Sequence, residues 1–522
     1  MSGHLAIAAI LIPLATAALQ LLLDKKRRRL QSVLSVLSGL LLLATAVALM
    51  TAIATRAEPI VYNLGGWPAQ FAIVLVVDRL SALMLLLTAV LALAIMPSAL
   101  VRGQYRGAHL QPLIQLLLVG FNGAFLTGDL FNLFVFFEVL LAASYGLALH
   151  GSGTRRVSAS LHYIAINLTA SMLFLLGVSL IFGVTGTLNM AVLARTIPTL
   201  TGTTRDLLHA GAVLLGLAFL IKTAVWPLGF WLPRTYSAAI PPVAALFAMM
   251  TKLGVYVLLR LSLLLFGGSA GAASAYFGSN WLLWAGIMTL AVGTVGMLGA
   301  RELGKLAGYS VLVSSGTLVG AIALQQPAVT AGALAYLVVS ALGIAALFLL
   351  TGLIVPGDKP EDAQQLEPYD AASDELFAHE DESQIHTPAP IVILSACFFV
   401  CALLLAGLPP LSGFLAKFAL LAPMLGQGVG ATVLFALIIA AGLGTLIALC
   451  RAGIQIFWVD EDWVFPYARS SETAAAALLL AVCLVLTVVV DAPWQYLAAT
   501  AQQVHQPAHY VQAVLSAGQG AP

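Results

Sequence analysis

One carboxylate and three ammonium groups lie inside apolar stretches of this sequence where charged side chains are rare. Glu138 stands near the middle of DLFNLFVFFEVLLAASYGLAL (129–149), and three lysines occupy comparable stretches, at Lys222, Lys252 and Lys417. An ionised side chain at the centre of a bilayer costs about 2.5 to 3.5 kcal/mol, and such residues usually face a bundle interior or a water-filled path. Desolvation and a nearby opposite charge change the proton affinity of these groups in opposite directions. The residue types therefore predict a proton relay through the four groups.

The positions of the other charges set these four groups apart. Ten of the 22 carboxylates lie in one polar stretch, 356–390, and eleven lie at or beyond the ends of apolar segments, which leaves Glu138 alone. The alternative is a static salt bridge between Glu138 and one lysine that fixes helix packing, but it would account for two of the four interior charges. Lys222 and Lys417 also lie beside breaks in their segments, where backbone groups are open to water or ions.

Five further residues are candidates for an accessory role in the same path, because their polar side chains lie in or near the apolar segments. They are Arg260, Asn132, Tyr256, Tyr309 and Ser310. Arg260 is nearer the end of its segment, so an interfacial position is equally compatible with the sequence. The others are also typical of helix contacts in membranes, where hydroxyl and amide groups form hydrogen bonds between helices.

The elements that must position these groups are membrane-spanning helices. The 522 residues are 61% hydrophobic and only 9% charged, against about 25% charged residues in an ordinary soluble domain. Apolar segments of about 20 residues, the length that crosses the hydrocarbon core, recur fourteen times. The predicted spans are 4–23, 30–54, 78–101, 108–127, 129–149, 157–183, 207–227, 241–267, 279–299, 304–324, 329–355, 389–424, 428–451 and 471–491. The sequence predicts an all-α polytopic membrane protein with about 14 transmembrane helices.

Two of the fourteen segments are interrupted by proline and glycine. Helix 7 runs into KTAVWPLGFWLP, which contains Pro227, and helix 12 contains GLPPLSG, with Pro409 and Pro410. Interrupted helices in matching positions indicate an inverted-repeat transporter whose polar site lies near the midplane. Because five helices separate the two breaks, helices 4–8 and helices 9–13 are predicted to form two inverted repeats.

The chain accordingly divides into four predicted regions. They are helices 1–3 in 1–107, the first repeat in 108–267, the second repeat in 268–451 with an acidic loop at 356–390, and helix 14 with a tail in 452–522. Basic clusters such as DKKRRR (24–29) follow alternate spans, which places those ends in the cytoplasm. Both termini are therefore expected outside. The loop 356–390 is expected inside, either as a solvated linker or as a segment that docks a partner.

The segment between helices 2 and 3 contains turn residues instead of a further span. Its sequence is EPIVYNLGGWPAQFAIVLVV, in which two glycines and a proline interrupt apolar runs. Such residues indicate a turn. The segment is expected to form either a hairpin on the outside or a stretch along the interface.

The composition gives no sign of nucleic acid binding, metal binding or covalent catalysis. The formal net charge is +1, and the four cysteines (Cys397, Cys401, Cys450 and Cys483) all fall in apolar segments. No histidine or carboxylate lies close to them in sequence to complete a metal-ligand set. Phosphate-binding loops and serine nucleophile motifs do not occur. The sequence predicts a transporter component and not an enzyme, with no cofactor and no metal.

Four stretches resemble the proton-conducting antiporter-like membrane subunits shared by respiratory complex I and by multisubunit Mrp-type cation/proton antiporters. They are GDLFNLFVFFEVLLAASYGL, KTAVWPLGFWLP, PVAALFAMMTKLGVY and GLPPLSGFLAKF, and the resemblance begins as early as VVDRLSALMLLLTAVLAL. It implies fourteen helices in two inverted five-helix repeats, with helices 7 and 12 broken. It also implies a central proton path whose matching residues are Glu138, Lys222, Lys252 and Lys417.

Within this family the motifs look most like the D-type subunits of Mrp-type antiporters. Complex I relatives often carry a histidine in the loop after the helix 7 lysine, where this sequence has Gly229. The length of 522 residues is also shorter than expected for the large A-type subunits, which carry extra C-terminal helices and a further domain.

The resemblance implies one subunit of a Na+(K+)/H+ antiporter in a bacterial cytoplasmic membrane. The implied partners are A, B, C, E, F and G-type subunits, protons, Na+ or K+, and lipid. One alternative is a proton-pumping membrane subunit of respiratory complex I (NADH-quinone oxidoreductase) or of a membrane-bound hydrogenase. Another is an assembly scaffold with an inactive path.

Overall fold

The computed structural model describes most of the chain. The described residues are 2–23, 27–56, 58–66, 73–101, 109–151, 153–354, 389–457 and 470–517. The predicted acidic loop 356–390 lies outside them, except for its last two residues, which begin a helix.

Helices make up nearly all of the described structure. In chain order they are α1 (Ser2–Leu22), α2 (Arg28–Ala54), α3 (Arg79–Val101), α4 (Leu110–Leu126), α5 (Leu130–Ala148), α6 (Thr154–Thr185), α7 (Met190–Thr196), α8 (Gly202–Lys222), α9 (Trp231–Ala238), α10 (Pro241–Phe266), α11 (Ser279–Gly299), α12 (Leu303–Ala323), α13 (Pro327–Ile354), α14 (Ala389–Ala406), α15 (Ser412–Leu421), α16 (Val429–Phe457), α17 (Ser470–Val488), α18 (Asp491–Val504) and α19 (Pro507–Ala517). Apolar segments take this form because a helix satisfies its own backbone hydrogen bonds without water.

The helix ends follow local sequence signals. Asp129 caps α5 by accepting hydrogen bonds from the backbone N–H groups of Phe131 and Asn132, at 2.8 and 3.0 Å. Such a cap satisfies donors that a helix start leaves unpaired. Pro241 opens α10, a position where its missing N–H costs nothing.

The number of crossings is lower than predicted when helices are judged by length and composition. Among the described residues, eleven helices are long and apolar enough to cross a membrane, and a twelfth is obtained if α17 and α18, bent by 88°, count as one span. Helix α4 and the two pieces α14 and α15 are shorter apolar helices. The structure is therefore a polytopic helical membrane protein with 11 to 12 candidate spans.

Three helices form the centre of the bundle. The most apolar part of α10 is wholly buried, and that of α12 and of α13 is 94% and 89% buried. In helices α1, α6, α8, α11 and α16, no more than 39% of the most apolar part is buried. The central helices can therefore carry polar groups away from lipid.

A short antiparallel hairpin marks one end of the bundle. Strand β1 (Ile60–Asn63) pairs with β2 (Val74–Val77), with Ile60 opposite Val77. The amide of Asn63 donates to the carbonyl oxygen of Ala517 in α19, and Tyr496 of α18 donates to the carbonyl oxygen of Arg79. The hairpin, α18 and α19 therefore lie together at this end, which we call the hairpin face. The hairpin expected between helices 2 and 3 is confirmed.

Both predicted helix breaks are present. Helix α8 ends at Lys222 and α9 begins at Trp231, so helix 7 is interrupted around Pro227. Helix α14 ends before Gly407, whose φ is +78°, and α15 begins at Ser412. The 36-residue apolar segment 389–424 is thus two short helices, because a left-handed glycine and two successive prolines cannot continue an α-helix.

Candidate functional site

The first part of the site joins α5, α6 and α8. Ser171 of α6 donates a hydrogen bond of 2.5 Å to Oε1 of the half-buried Glu138. Lys222 is 94% buried, and its Nζ has no hydrogen-bond partner among the described residues. Nζ lies instead 5.1 Å from the centroid of the Phe137 ring, a cation–π contact. The direct ion pair expected between Glu138 and a lysine is therefore not formed with Lys222, although the two groups remain electrostatic neighbours.

The loop after Lys222 is folded tightly against itself. A Cβ atom placed on Gly229 would lie 2.0 Å from the carbonyl oxygen of Ala224. Ala224 itself has a φ of +56°, in the left-handed region that non-glycine residues rarely adopt. No side chain, and so no histidine, fits at position 229 in this loop.

Helix α10 brings the second lysine close to the first break. A Cβ atom on Gly254 would lie 2.4 Å from Cγ2 of Thr223, so the absence of a side chain at Gly254 permits the close approach. Gly254 is two residues after Lys252, and Thr223 directly follows Lys222. The two lysines are thus held on packed segments.

Lys252 begins a chain of hydroxyl groups. Its side chain is fully buried, and Nζ donates to Ser314 Oγ of α12 at 2.5 Å. Ser314 Oγ in turn donates to Ser340 Oγ of α13 at 2.9 Å. Three central helices are therefore linked by one continuous set of polar atoms.

A small cavity continues from Ser340 towards the third lysine. Its volume is about 20 Å³, and its lining includes Ser310, Ser340 and Leu405. A cavity needs about 10 to 15 Å³ to hold a water molecule. Beyond it, Nζ of Lys417 donates to the carbonyl oxygens of Leu405 and Ala406, at 3.0 and 2.8 Å. These carbonyls are open because α14 ends there.

A second charged cluster lies near the hairpin face. Arg260 of α10 forms a bidentate ion pair with Asp78, and only 7% of Arg260 and 2% of Asp78 are exposed. The guanidinium lies 5.4 Å from the ring centroids of both Tyr256 and Tyr510. Arg260 is therefore a buried ion-pair partner near the hairpin face. The burial of Asp78, at the very end of its apolar segment, was not predicted.

Of the other accessory candidates, Tyr256 lies beside Arg260 and the rest are dispersed. Asn132 donates to Thr127 Oγ1 near the start of α5, and Tyr256 donates to the carbonyl oxygen of Phe125. Ser310 lines the cavity beside Ser340, while the ring of Tyr309 fills the space beside Gly296. Of the five candidates, Ser310 thus lies along the line from Lys252 to Lys417. In the described part of the chain, no three His, Cys, Asp or Glu side chains are grouped to hold a metal ion.

Known proteins resemble this chain along nearly its whole length. The family described as NADH:quinone oxidoreductase/Mrp antiporter, TM, matches residues 127–444. The chain is 48% identical to a protein of Rhizobium meliloti named as the probable D-type component of a K(+)/H(+) antiporter, over 98% of both chains. It is 32% identical to the corresponding D-type component of the Na(+)/H(+) antiporter of Bacillus subtilis, over 98% of this chain and 99% of that protein.

Solved structures share the fold. A chain of the Mrp complex from Dietzia sp. DQ12-45-1b superposes with a TM-score of 0.82 at 28% identity, over 98% of this chain and 99% of that one. A chain of respiratory complex I from Thermus thermophilus superposes with a TM-score of 0.74 at 22% identity, with the same coverage, and shows the fold alone. The protein therefore belongs to the NADH:quinone oxidoreductase/Mrp antiporter family of membrane subunits.

Proposed function

We propose that this chain is the D-type subunit of a multisubunit monovalent cation/proton antiporter and that it carries the proton path. The observation that carries the proposal is the line of interior polar groups that runs from Glu138 and Lys222, through Lys252, to Lys417. The full-length similarity to proteins named as K(+)/H(+) and Na(+)/H(+) antiporter components supports it. No covalent chemistry is required of the chain, so it acts as a transporter component and not as an enzyme.

The relay works by changing the partners of buried ammonium groups. A proton on Glu138 weakens the attraction between the carboxyl group and Lys222, whose Nζ lies against the ring of Phe137. The charge on Lys222 then acts on Lys252, because α10 packs against the residue after Lys222. The change in charge at Lys252 then acts on the hydrogen bonds from Lys252 to Ser314 and from Ser314 to Ser340.

The last step crosses the cavity between Ser340 and Lys417. One water molecule there would connect the hydroxyl-lined end of the path to the carbonyl-lined end. A cation bound elsewhere in the complex changes the proton affinity of the relay, and protons change cation affinity by the same factor.

The predicted architecture of fourteen helices fits this path. Adding α4 and the broken pair α14–α15 to the twelve candidate spans gives fourteen crossings, with α8–α9 as helix 7. The first repeat then comprises α4, α5, α6, α8–α9 and α10, and the second comprises α11, α12, α13, α14–α15 and α16. The two broken helices occupy the fourth place in each repeat. The proposed domain limits remain 108–267 and 268–451, although α16 itself continues to Phe457.

The membrane setting follows from the same assignment. The hairpin face is outside a bacterial cytoplasmic membrane, with both termini there, and the loop 356–390 is inside. Arg155, Lys305 and Arg451 lie at the opposite end from the hairpin face, as cytoplasmic cations should. The partners are the A, B, C, E, F and G-type subunits, protons, Na+ or K+, and lipid.

The second candidate function is a proton-pumping membrane subunit of complex I or of a membrane-bound hydrogenase. The common fold with the complex I chain favours it. Gly229 argues against a complex I subunit, because the loop leaves no room for the histidine that complex I relatives often carry at this position. The absence of exchange with either cation in the intact complex would favour this second function.

The test uses the complete antiporter complex in everted vesicles, with a ΔpH-sensitive dye. Addition of Na+ or K+ should dissipate the gradient in the unaltered complex, whereas Glu138→Gln and Lys222→Ala should lose this response with the complex still assembled. Glu302→Gln is the matched control, because Glu302 forms exposed ion pairs with Arg155 and Lys305 away from the path. A near-normal response in either relay variant would refute the relay.

A further inference from the structure

At the first helix break, one backbone donor is satisfied by a side chain of a neighbouring helix. The N–H groups of Thr223, Ala224 and Val225 bond back to carbonyls of α8. The next N–H, that of Trp226, donates instead to Oγ1 of Thr289 in α11, at 2.9 Å. This bond therefore fixes the point at which the chain leaves α8, four residues after Lys222.

The second break is completed in the same way. The N–H groups of Gly407 and Leu408 bond back to the carbonyl oxygen of Leu403, and the two following prolines have no N–H. The N–H of Ser412, which opens α15, donates to Oγ1 of Thr487 in α17 at 2.8 Å. A threonine on a neighbouring helix thus holds the break that precedes Lys417.

The two threonine hydroxyls share one geometry. Thr289 Oγ1 donates to the carbonyl oxygen of Ala285, and Thr487 Oγ1 donates to that of Cys483, each four residues earlier on its own helix. Because the hydroxyl proton is committed to this bond, the oxygen lone pairs are available to the break N–H. Each hydroxyl is therefore oriented as an acceptor by its own helix.

We propose that Thr289 and Thr487 are positioning residues of the proton path, which hold the two broken helices through one backbone N–H each. The proposal rests on the proposed function, because positioning matters only if Lys222 and Lys417 take part in the relay. Each threonine lies on the helix that follows a repeat, α11 after the first and α17 after the second. The same device thus serves both breaks.

An N–H that is left without an acceptor away from water is costly, so loss of the hydroxyl changes the conformation of the break. In the first break the affected segment follows Lys222 directly and packs against α10 beside Lys252. In the second it precedes Lys417, whose Nζ depends on carbonyls at the end of α14. A small shift of the break would therefore move an ammonium group without unfolding the bundle.

The first readout is amide hydrogen exchange in the complete complex, measured on peptides that cover 223–232 and 407–415. Thr289→Val should speed exchange in the first peptide about tenfold, as expected for the loss of one backbone hydrogen bond. Thr487→Val should do the same in the second peptide. The serine variants at both positions keep the hydroxyl and should retain slow exchange.

The second readout is cation-driven proton flux in vesicles. Both valine variants should lower the initial rate about tenfold, and both serine variants should restore it. Thr294→Val is the matched control, because Thr294 lies on α11 and bonds to the carbonyl oxygen of Leu290, away from the break. It should leave flux and the exchange of both peptides unchanged.

Two results would overturn the proposal. One is unchanged amide exchange and flux in both valine variants, and the other is an equal loss with serine and valine, which would indicate packing alone. The two positions are independent, so failure of one variant to assemble leaves the other decisive. If the relay proposal itself is wrong, the result is different, because cation-driven proton flux would then persist in Lys222→Ala.

Discussion

Replacing Arg260 alone should destabilise the protein far more than replacing its whole ion pair with Asp78. Asp78 is 98% buried, and without the guanidinium its carboxylate would keep only neutral donors from Ser81, among them the backbone N–H at 2.9 Å. Removing one partner of a buried pair typically costs about 3 to 5 kcal/mol, because the remaining charge is uncompensated. Arg260→Met should therefore lower the free energy of unfolding by about that amount.

The double variant should behave differently. Asp78→Leu together with Arg260→Met removes both charges and fills the space with apolar atoms of similar size. Exchanging a buried ion pair for packed apolar groups is often neutral or stabilising. The double-mutant cycle should therefore give a coupling energy of at least about 3 kcal/mol.

The assay is denaturant unfolding of the purified complex in detergent, followed by tryptophan fluorescence, for the two single variants and the double variant. Antiport in vesicles is measured alongside, and the double variant should retain it if the pair acts structurally. Additive losses would show that the residues do not act as a pair. A stable double variant without proton flux would place Arg260 in the relay itself.

Two further predictions concern other hydrogen bonds. Ser314→Ala removes the hydroxyl that accepts the hydrogen bond from the Lys252 ammonium. Because a hydrogen bond to a charged group contributes about 1.5 to 3 kcal/mol, the initial rate of cation-driven proton flux should fall at least tenfold. Ser314→Thr keeps the hydroxyl and should preserve the rate. His505, at the hairpin face, contacts Thr330 through Nε2, and burial lowers its pKa to about 4 from 6.5. The unfolded chain binds this proton at higher pH than the folded one, so stability should fall as pH drops from about 6.5 towards 4. The thermal midpoint of His505→Gln should not show this fall between pH 6.5 and 4. Equal pH dependence of the midpoint in both proteins would contradict the role of His505.

The helix breaks and the interior positions of the lysines could be predicted because their signals are local. Glycine and proline interrupt an apolar run wherever they occur, and charges are so scarce in this chain that Lys222 and Lys417 stand out beside the breaks. The side of the helix to which each lysine points depends on packing, so the contact of Lys222 with Phe137 could not be predicted. The same holds for the separation of Glu138 from Lys222.

The ion pair of Asp78 and Arg260 could not be predicted from the sequence, for a different reason. The two residues are 182 positions apart, and each lies near the end of an apolar segment, where charges are ordinary. The threonines that hold the breaks give no signal either. The hydroxyl of a threonine in an apolar helix normally donates to the backbone carbonyl four residues earlier in the same helix. The sequence does not show which N–H of another helix donates to the same hydroxyl.

The folding of the α8–α9 loop onto the Ala224 carbonyl also limits which residues this chain can accept at position 229. Any codon change that adds a Cβ at Gly229 collides with a backbone oxygen 2.0 Å away, which a rotamer change cannot relieve. A histidine at this place would first require a differently turned loop, and so several substitutions together. Single substitutions at Gly229 should therefore be disfavoured in this chain, and a larger residue would have to arise together with changes in the loop.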